Sequence, residues 1–208
     1  MSRPTYRLYY QRNLPHYQPS GATLFITFRL AGSLPLEILQ KLDAEKQLKE
    51  KELANFTDLQ SHKQAREAAQ KKMFGLWDAE LDGARSGPMW LADPGIAGLL
   101  CDAMQYRDGR EFTLEAYCVM PNHVHLVCTP LFTGDDPLPL PVILQSLKGY
   151  TARKANLMLE RQGTFWQHES YDHVVRDSEE LARIVKYVIE NPRRAGLPDR
   201  WIYCRYPN

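Results

Sequence analysis

The chain has 208 residues, of which 44% are hydrophobic and 25% are charged, and its formal net charge is +1. This length fits one domain with an elaboration rather than two independent domains. The apolar runs are far shorter than a bilayer crossing, and the first 15 residues lack an apolar leader segment, so we expect neither a membrane protein nor a secreted one. The four cysteines form no CxxC pair, which predicts reduced thiols and a cytoplasmic location.

The charge is distributed unevenly along the chain. Residues 1–30 contain four Arg and no acidic residue, residues 31–140 contain 11 basic and 17 acidic residues, and residues 141–208 contain 11 basic and 8 acidic residues. A basic surface built from the two ends of the chain would suit a nucleic-acid backbone with exposed bases. Ordinary solubilising surface charge is the alternative interpretation.

The first half of the chain reads as one strand followed by a long helical stretch. β-Branched and aromatic residues after a Pro/Ser/Gly turn signal predict a strand over 21–30. Strong helix formers then dominate 36–81, with a break predicted near 54–61. Apolar positions are sparse there, so we predict a charged helical insertion at about 36–85, either an interaction arm or a solvated elaboration.

The middle of the chain predicts a helix, a hairpin and a second helix. Asp93 and Pro94 open a helix that closes near residues 108–109. Two apolar strands, 111–120 and 123–130, are separated only by "PN" and predict a β-hairpin. A Pro-rich loop follows, and then a helix over 142–163.

The last part predicts a strand over 171–176 and a helix that begins with a capping box, Asp177 with Glu180. The resulting order of elements is β, long α, β, β, α, β, α. This order predicts an α+β fold of the ferredoxin-like or split βαβ type, in which an antiparallel sheet carries helices packed on one face. We treat residues 1–208 as a single domain with the helical insertion.

Two histidines lie one residue apart in the second hairpin strand, in the sequence "VMPNHVHLV". Side chains at i and i+2 of a strand share one face, so His123 and His125 should project the same way. Two imidazoles at this spacing suit one metal cation. A packed or surface pair without a metal is the alternative.

Tyr150 lies on the helix predicted over 142–163. Ile143, Leu147 and Leu157 place it at the edge of the apolar stripe, so it should face the margin of the sheet. Lys148, Arg153, Lys154 and Arg161 surround it with positive charge. A tyrosine at the edge of a helix packing surface is the plain alternative to a functional phenol.

The order of these features resembles a known family. A His-hydrophobic-His strand, then "SLKGYTARKAN", then "FWQHESYDHVVRDSEELARIVKYVIENPRRAGL" is similar to the single-tyrosine HUH transposases, and within them to the REP-associated tyrosine transposases. The resemblance covers residues 21–30 and nearly all of 111–200. It implies a bacterial, nucleoid-associated DNA endonuclease and strand transferase that acts on single-stranded DNA at palindromic REP hairpins, as a monomer or a homodimer.

The resemblance also implies residue roles. His123 and His125 would hold Mg²⁺ or Mn²⁺, and Tyr150 would attack the phosphodiester to leave a 5′-phosphotyrosine. We expect Lys148, Arg153 and Lys154 to contact DNA phosphates, together with Arg193 and Arg194, which could instead cap the last helix.

The sequence does not identify a third metal ligand. In relatives a polar residue one helical turn after the tyrosine often completes the site, but here that position is Lys154, which has no lone pair when charged. Asn156 points in an awkward direction, and His168, Glu169 or water could substitute. We interpret Asn122 as a turn residue and His173 as structural.

Two other functions compete with this hypothesis. A rolling-circle initiator or relaxase-type nickase shares the HUH chemistry, although the match at 164–197 argues against it. A non-catalytic regulator that binds hairpin DNA or RNA is the second alternative, and Lys154 keeps it open.

Overall fold

The computed structural model describes residues 6–11, 15–53, 59–83, 87–199 and 201–205. The chain divides into two units, one formed by residues 1–31 with 89–208 and the other by residues 32–88. The elements in chain order are β1 (Tyr9–Gln11), β2 (Pro15–Tyr17), β3 (Leu24–Leu30), α1 (Leu36–Leu53), α2 (Leu59–Asp82), a 3₁₀ turn (Trp90–Ala92), α3 (Pro94–Arg107), β4 (Phe112–Val119), β5 (His123–Pro130), β6 (Phe132–Thr133), β7 (Asp136–Pro137), α4 (Leu140–Met158), β8 (Trp166–Val174), α5 (Ser178–Arg194) and β9 (Ile202–Cys204).

The larger unit is built on a five-stranded sheet in the order β8-β3-β5-β4-β9, and every neighbouring pair is antiparallel. The predicted hairpin of β4 and β5 is confirmed, with Pro121 and Asn122 between the strands. Two small ribbons, β1 with β2 and β6 with β7, accompany the sheet. The predicted α+β class with an antiparallel sheet is confirmed.

Alternation along the central strands separates the two faces of the sheet. Ile26 on β3 and Leu126 on β5 point to one side, which we call the core face, because they join the main apolar cluster. Thr27 and His125 point to the other side, which we call the histidine face. Both strands are buried along nearly their whole length, so both faces of the sheet are covered.

The core face is covered by α3 and α4. The Asp93 side chain caps α3 by accepting hydrogen bonds from the backbone N–H groups of Gly95 and Ile96. The helix residues that are buried in the main cluster with the sheet are Ile96, Ala97, Leu100, Cys101, Ala103, Met104, Leu140, Ile143, Leu144, Leu147 and Ala155. This arrangement matches the predicted packing of helices on one face.

The last helix departs from that expectation, because α5 lies across the histidine face and contacts β4, β5 and β9. The Asp177 side chain accepts from the backbone N–H of Glu180 and caps the helix as predicted. Val188 and Asn191 are its buried residues toward the sheet. The sequence shows that α5 is amphipathic, but amphipathicity alone does not choose between the two faces of a sheet.

The smaller unit consists of α1 and α2. Leu34, Leu42 and Leu81 form its buried apolar cluster. Asp78 on α2 is also buried. The predicted break near 54–61 and the predicted end of the insertion near 85 fall partly on residues 54–58 and 84–86, which lie outside the described residues.

Candidate functional site

The site begins with the two imidazoles of β5. His123 and His125 are both 0% exposed. Their Nε2 atoms lie 3.1 Å apart, and the ring planes meet at 77°. The prediction that both rings project from one face is therefore confirmed, and their nitrogen atoms converge on a single point.

Neighbouring side chains orient each ring through its other nitrogen. The Oδ1 atom of Asn122 lies 2.6 Å from Nδ1 of His123. Because an amide oxygen only accepts, Nδ1 of His123 donates its proton and Nε2 retains a lone pair. Nδ1 of His125 lies 2.8 Å from the Thr27 hydroxyl on β3, which can act as donor or acceptor. Such contacts fix the tautomer and direction of metal-binding histidines.

Burial sets the protonation state of the pair. Removal from water lowers the pKa of His123 well below its ordinary value, and the neighbouring His125 lowers it further. His123 is therefore neutral at pH 7. A neutral imidazole is the form that binds a metal.

These residues fit a divalent cation. Two nitrogen ligands about 2.1 Å from one ion and at right angles to each other lie about 3.0 Å apart, close to the 3.1 Å between the Nε2 atoms. Imidazole nitrogen suits Mn²⁺, and Mg²⁺ prefers oxygen ligands with several waters. The donor set is thus compatible with the predicted metal and leaves positions for further ligands.

Helix α5 supplies the groups that face the imidazoles. The ring of Tyr187 lies 5.7 Å from the ring of His125, measured between centroids. Nδ2 of Asn191 lies 3.2 Å from Nε2 of His125. The guanidinium of Arg194 lies over the Tyr187 ring, with its Cζ 5.5 Å from the ring centroid. The C-terminal end of α5 therefore belongs to the site.

Tyr150 is placed elsewhere. It is 37% exposed on α4, and Cζ of Arg107 lies 5.9 Å from its ring centroid. Because α4 packs on the core face, the sheet lies between Tyr150 and the imidazoles of the same chain. The structure of one chain does not bring the predicted nucleophile and the histidine pair together.

A different tyrosine shares the histidine face. Tyr171 on β8 is the direct partner of Thr27 on β3, and Thr27 is the direct partner of His125 on β5. Directly opposed residues of antiparallel strands point to the same side, so the three form a row across the sheet. Burial, then the charges of Asp172 and Glu180, raise the pKa of the Tyr171 phenol.

The predicted DNA-binding residues divide into two groups. Arg153 and Lys154 are exposed on α4, and Arg193 and Arg194 are exposed at the end of α5. Arg194 also pairs with Glu190 at 2.9 Å. Lys148 differs, because its Nζ donates to the backbone carbonyls of Gln167 and His168 on β8, at 2.6 Å and 3.1 Å.

The other polar residues that we considered as ligands or turn residues lie apart from the imidazoles, except Asn122. Nδ2 of Asn156 donates to the carbonyl of Gly163, and His168 is exposed on β8. Nε2 of His173 lies 3.2 Å from Glu180, in agreement with the structural role expected for it. Asn122 does more than form the turn, since it orients His123.

Sequence reasoning missed Thr27, Tyr171, Tyr187 and Asn191. Thr27 and Tyr171 reach the site only through strand register, which no short motif encodes. A signal was available for α5, because its polar Asn191 falls on the helix face that carries buried Val188.

Comparison with known proteins points to one family over part of the chain. Residues 103–191 match the family model described as "Transposase IS200 like". Over these residues the chain is similar to the IS200-like transposases. The matched residues run from α3 to Asn191 and include both imidazoles, Tyr150 and Tyr171. The predicted resemblance to this family is confirmed.

Two individual relatives were also found. The chain is 27% identical over 105 residues to a Haemophilus influenzae protein described as "Putative REP-associated tyrosine transposase". That alignment covers 46% of this chain and 59% of the relative, so it spans less than two thirds of the relative's length. A solved REP-associated tyrosine transposase bound to a REP hairpin aligns with a TM-score of 0.48 and 16% identity, over 92% of this chain and 78% of that one.

One finding bears on the membrane prediction. Among the described helices, none combines the length and the apolar character that a bilayer crossing requires.

Proposed function

We propose that the protein is a divalent-metal-dependent endonuclease and strand transferase for single-stranded DNA, acting at hairpins of the REP type. The observation that carries this proposal is the buried pair of imidazoles, whose Nε2 atoms lie 3.1 Å apart and whose Nδ1 atoms are held by Asn122 and Thr27. The match of residues 103–191 to the IS200-like family supports the transposase chemistry. We place the protein in the bacterial cytoplasm, in contact with the nucleoid.

In this mechanism a tyrosine phenol attacks the scissile phosphorus. The oxygen–phosphorus bond to the 3′-oxygen breaks, and the products are a 5′-phosphotyrosine and a free 3′-hydroxyl. A second 3′-hydroxyl can later attack the phosphotyrosine and rejoin strands, with release of the phenol. A divalent cation bound to His123 and His125 would neutralise charge on the phosphate.

The nucleophile in this proposal is Tyr150 of a second copy of the chain. In one chain α4 and the histidine pair lie on opposite sides of the sheet, so a homodimer is needed for the two groups to meet. The exposure of Tyr150 leaves it accessible to a partner. Tyr171 and Tyr187 of the same chain are the competing nucleophiles, because both already lie on the histidine face.

The exposed cations are the proposed phosphate contacts. Arg193 and Arg194 extend from the end of α5 that holds Tyr187 and Asn191, so they can hold a strand close to the imidazoles. Arg153 and Lys154 lie on α4 near Tyr150. In a homodimer they would contact the DNA strand that is bound at the histidine pair of the second copy. Lys148 contributes mainly by joining α4 to β8.

The test is a covalent-adduct assay on a hairpin DNA. The substrate carries its label on the 3′ side of the cleavage site, because a 5′-phosphotyrosine links that fragment to the protein. With Mn²⁺ present, we expect a labelled adduct in a denaturing gel for the wild type, and none for Tyr150→Phe. Tyr171→Phe and Tyr187→Phe remove the same hydroxyl from the two phenols of the histidine face and test each of them as the nucleophile. Loss of the adduct in Tyr171→Phe alone, or in Tyr187→Phe alone, would transfer the nucleophile to that residue.

A mixing experiment tests the second copy directly. Tyr150→Phe and His123→Ala are each expected to be inactive, whereas their mixture should recover about a quarter of the wild-type sites if random dimers pair one intact phenol with one intact histidine pair. A mixture as inactive as its components would contradict completion of the site between chains.

The alternative function is a non-catalytic regulator that binds hairpin DNA or RNA. The separation of Tyr150 from the histidine pair within one chain favours it over a nickase. Hairpin binding by the wild type without an adduct under any divalent metal would support the regulator. Equal cleavage of hairpin and unstructured DNA would support a rolling-circle or relaxase-type enzyme instead.

A further inference from the structure

A buried arginine lies beside the imidazoles on the histidine face. Arg29 on β3 is directly opposite His123 on β5, just as Thr27 is directly opposite His125. Directly opposed residues of antiparallel strands point to the same side of the sheet, with Cβ atoms about 4.5–5.5 Å apart. Arg29 is only 8% exposed. Its side chain therefore leaves the sheet next to the histidine pair and stays enclosed there.

The sheet is irregular at Arg29 on its other side. The pairing of β3 with β8 shifts register at this residue, between Phe28 and Leu30. In the shifted part of β8, the backbone carbonyls of residues 167 and 168 accept hydrogen bonds from Nζ of Lys148. Irregularities of this kind re-aim a side chain and are common next to active sites. The position of Arg29 is thus typical of a functional residue.

Burial does not remove the charge of Arg29. Removal from water lowers its pKa to about 10, which is still well above neutral pH. His123 is neutral at pH 7, so the guanidinium group adds a permanent positive charge beside an uncharged imidazole. A buried charge is costly to keep. A phosphodiester that binds at the imidazoles would give this charge a function.

We propose that Arg29 is a catalytic residue whose guanidinium group binds a non-bridging oxygen of the scissile phosphate at the histidine pair. This inference rests on the proposed function for the presence of that phosphate. Charge spreads over the phosphate oxygens as the phenol oxygen bonds to phosphorus and the bond to the 3′-oxygen breaks. A preorganised cation in a water-excluded site stabilises this charge. Arg29 keeps its proton and forms no covalent bond.

This role differs from that of Arg193 and Arg194. Those two residues are exposed at the end of α5, so dissolved salt screens their charges and they act mainly on hairpin binding. The enclosed charge of Arg29 is screened much less. Loss of Arg29 should therefore lower the rate of bond cleavage more than it lowers hairpin affinity.

The test is single-turnover cleavage of a hairpin whose scissile group is either a phosphodiester or a methylphosphonate. The methylphosphonate carries a methyl group in place of one non-bridging oxygen and has no charge. We expect Arg29→Met to cleave the phosphodiester about 10²–10³-fold more slowly than the wild type, as for removal of one preorganised donor. On the methylphosphonate the two proteins should differ far less, because no anionic charge is left to offset. Arg29→Lys keeps the charge and should recover part of the phosphodiester rate.

Arg205→Met is the matched control. The Arg205 guanidinium bonds to the Asp108 carboxylate and to the carbonyl of Leu114, at the β9 edge of the sheet. Its removal tests the general effect of losing an ion-paired arginine. Any loss of rate in this variant should be the same factor on both substrates.

The outcomes separate this inference from the proposed function. Arg29→Met cleavage at the wild-type rate, or an equal loss on both substrates, would overturn the inference and leave the proposed function standing. If Arg29→Met does not fold, Arg29→Gln, which is uncharged but still polar, takes its place with the same expectations. A wild type that cleaves neither substrate with any divalent metal would remove the proposed function and this inference with it.

Discussion

Replacement of Asn122 by Ala tests the whole orientation of the site. In the wild type its Oδ1 accepts the Nδ1 proton of His123 across 2.6 Å, and both side chains are fully buried. The Ala variant leaves that N–H without its partner, which costs about 1–3 kcal/mol of unfolding free energy. It also releases the ring from the tautomer that keeps the Nε2 lone pair toward His125.

Loss of such an orienting contact lowers metal affinity by about 10–100-fold. We therefore expect Asn122→Ala to unfold at a lower urea concentration with an unchanged m value, and to bind Mn²⁺ about 10–100-fold more weakly. Asn122→Asp should keep the acceptor and most of the affinity.

The two measurements separate two roles for this residue. If Asn122 serves only the turn between β4 and β5, as its position in the sequence suggests, stability falls while Mn²⁺ affinity in the folded protein stays at the wild-type value. That result would refute the orientation argument. Asn156→Ala is the control, because it removes an Asn side chain from α4, in the same unit but away from the histidine pair.

Three other changes have expected outcomes. Thr151→Val removes the hydroxyl that accepts the buried Trp166 indole N–H at 3.0 Å, and should lower the unfolding free energy by about 1–3 kcal/mol in urea titration; an unchanged midpoint would contradict that hydrogen bond. Burial alone would raise the pKa of Glu180, but the backbone N–H of Arg176, the His173 side chain and the Arg176 charge together hold this pKa below its ordinary value. The Glu180 carboxylate therefore stabilises the fold above its unfolded-state pKa, and this stabilisation is lost as the pH falls through the folded-state pKa. Glu180→Gln should flatten this acid limb in thermal melts, and a limb as steep as in the wild type would contradict it. Arg193→Ala and Arg194→Ala should weaken hairpin binding and each reduce its salt slope by about 1; binding with the wild-type slope would remove them from the phosphate contacts.

The parts of the fold that depend on local pattern were predictable. Alternation of apolar residues gave both strands of the hairpin, and the same alternation placed His123 and His125 on one face. Asp93 and Asp177 marked the helix starts, because a side chain that accepts from the first free N–H groups leaves a clear sequence signature. These features involve residues only a few positions apart.

The rest of the site depends on contacts between residues that are far apart in the sequence, and no local pattern predicts such contacts. Thr27 meets His125 across 98 positions, and Asn191 meets it across 66. The amphipathic pattern of α4 shows that Tyr150 lies at the edge of a packed surface, but it is silent on which face of the sheet that surface covers. The assignment of a helix to a face is a property of the topology, and here it separates Tyr150 from the imidazoles of its own chain.

The complete burial of His123 and His125 has a consequence for the timing of the reaction. Neither a hydrated ion nor a DNA strand can touch a nitrogen atom that has no exposed surface, so each must arrive while the protein transiently opens. Events of this kind take microseconds to seconds. The rate at which the interior becomes reachable, more than the strength of any single contact inside it, would then set the pace of loading and turnover.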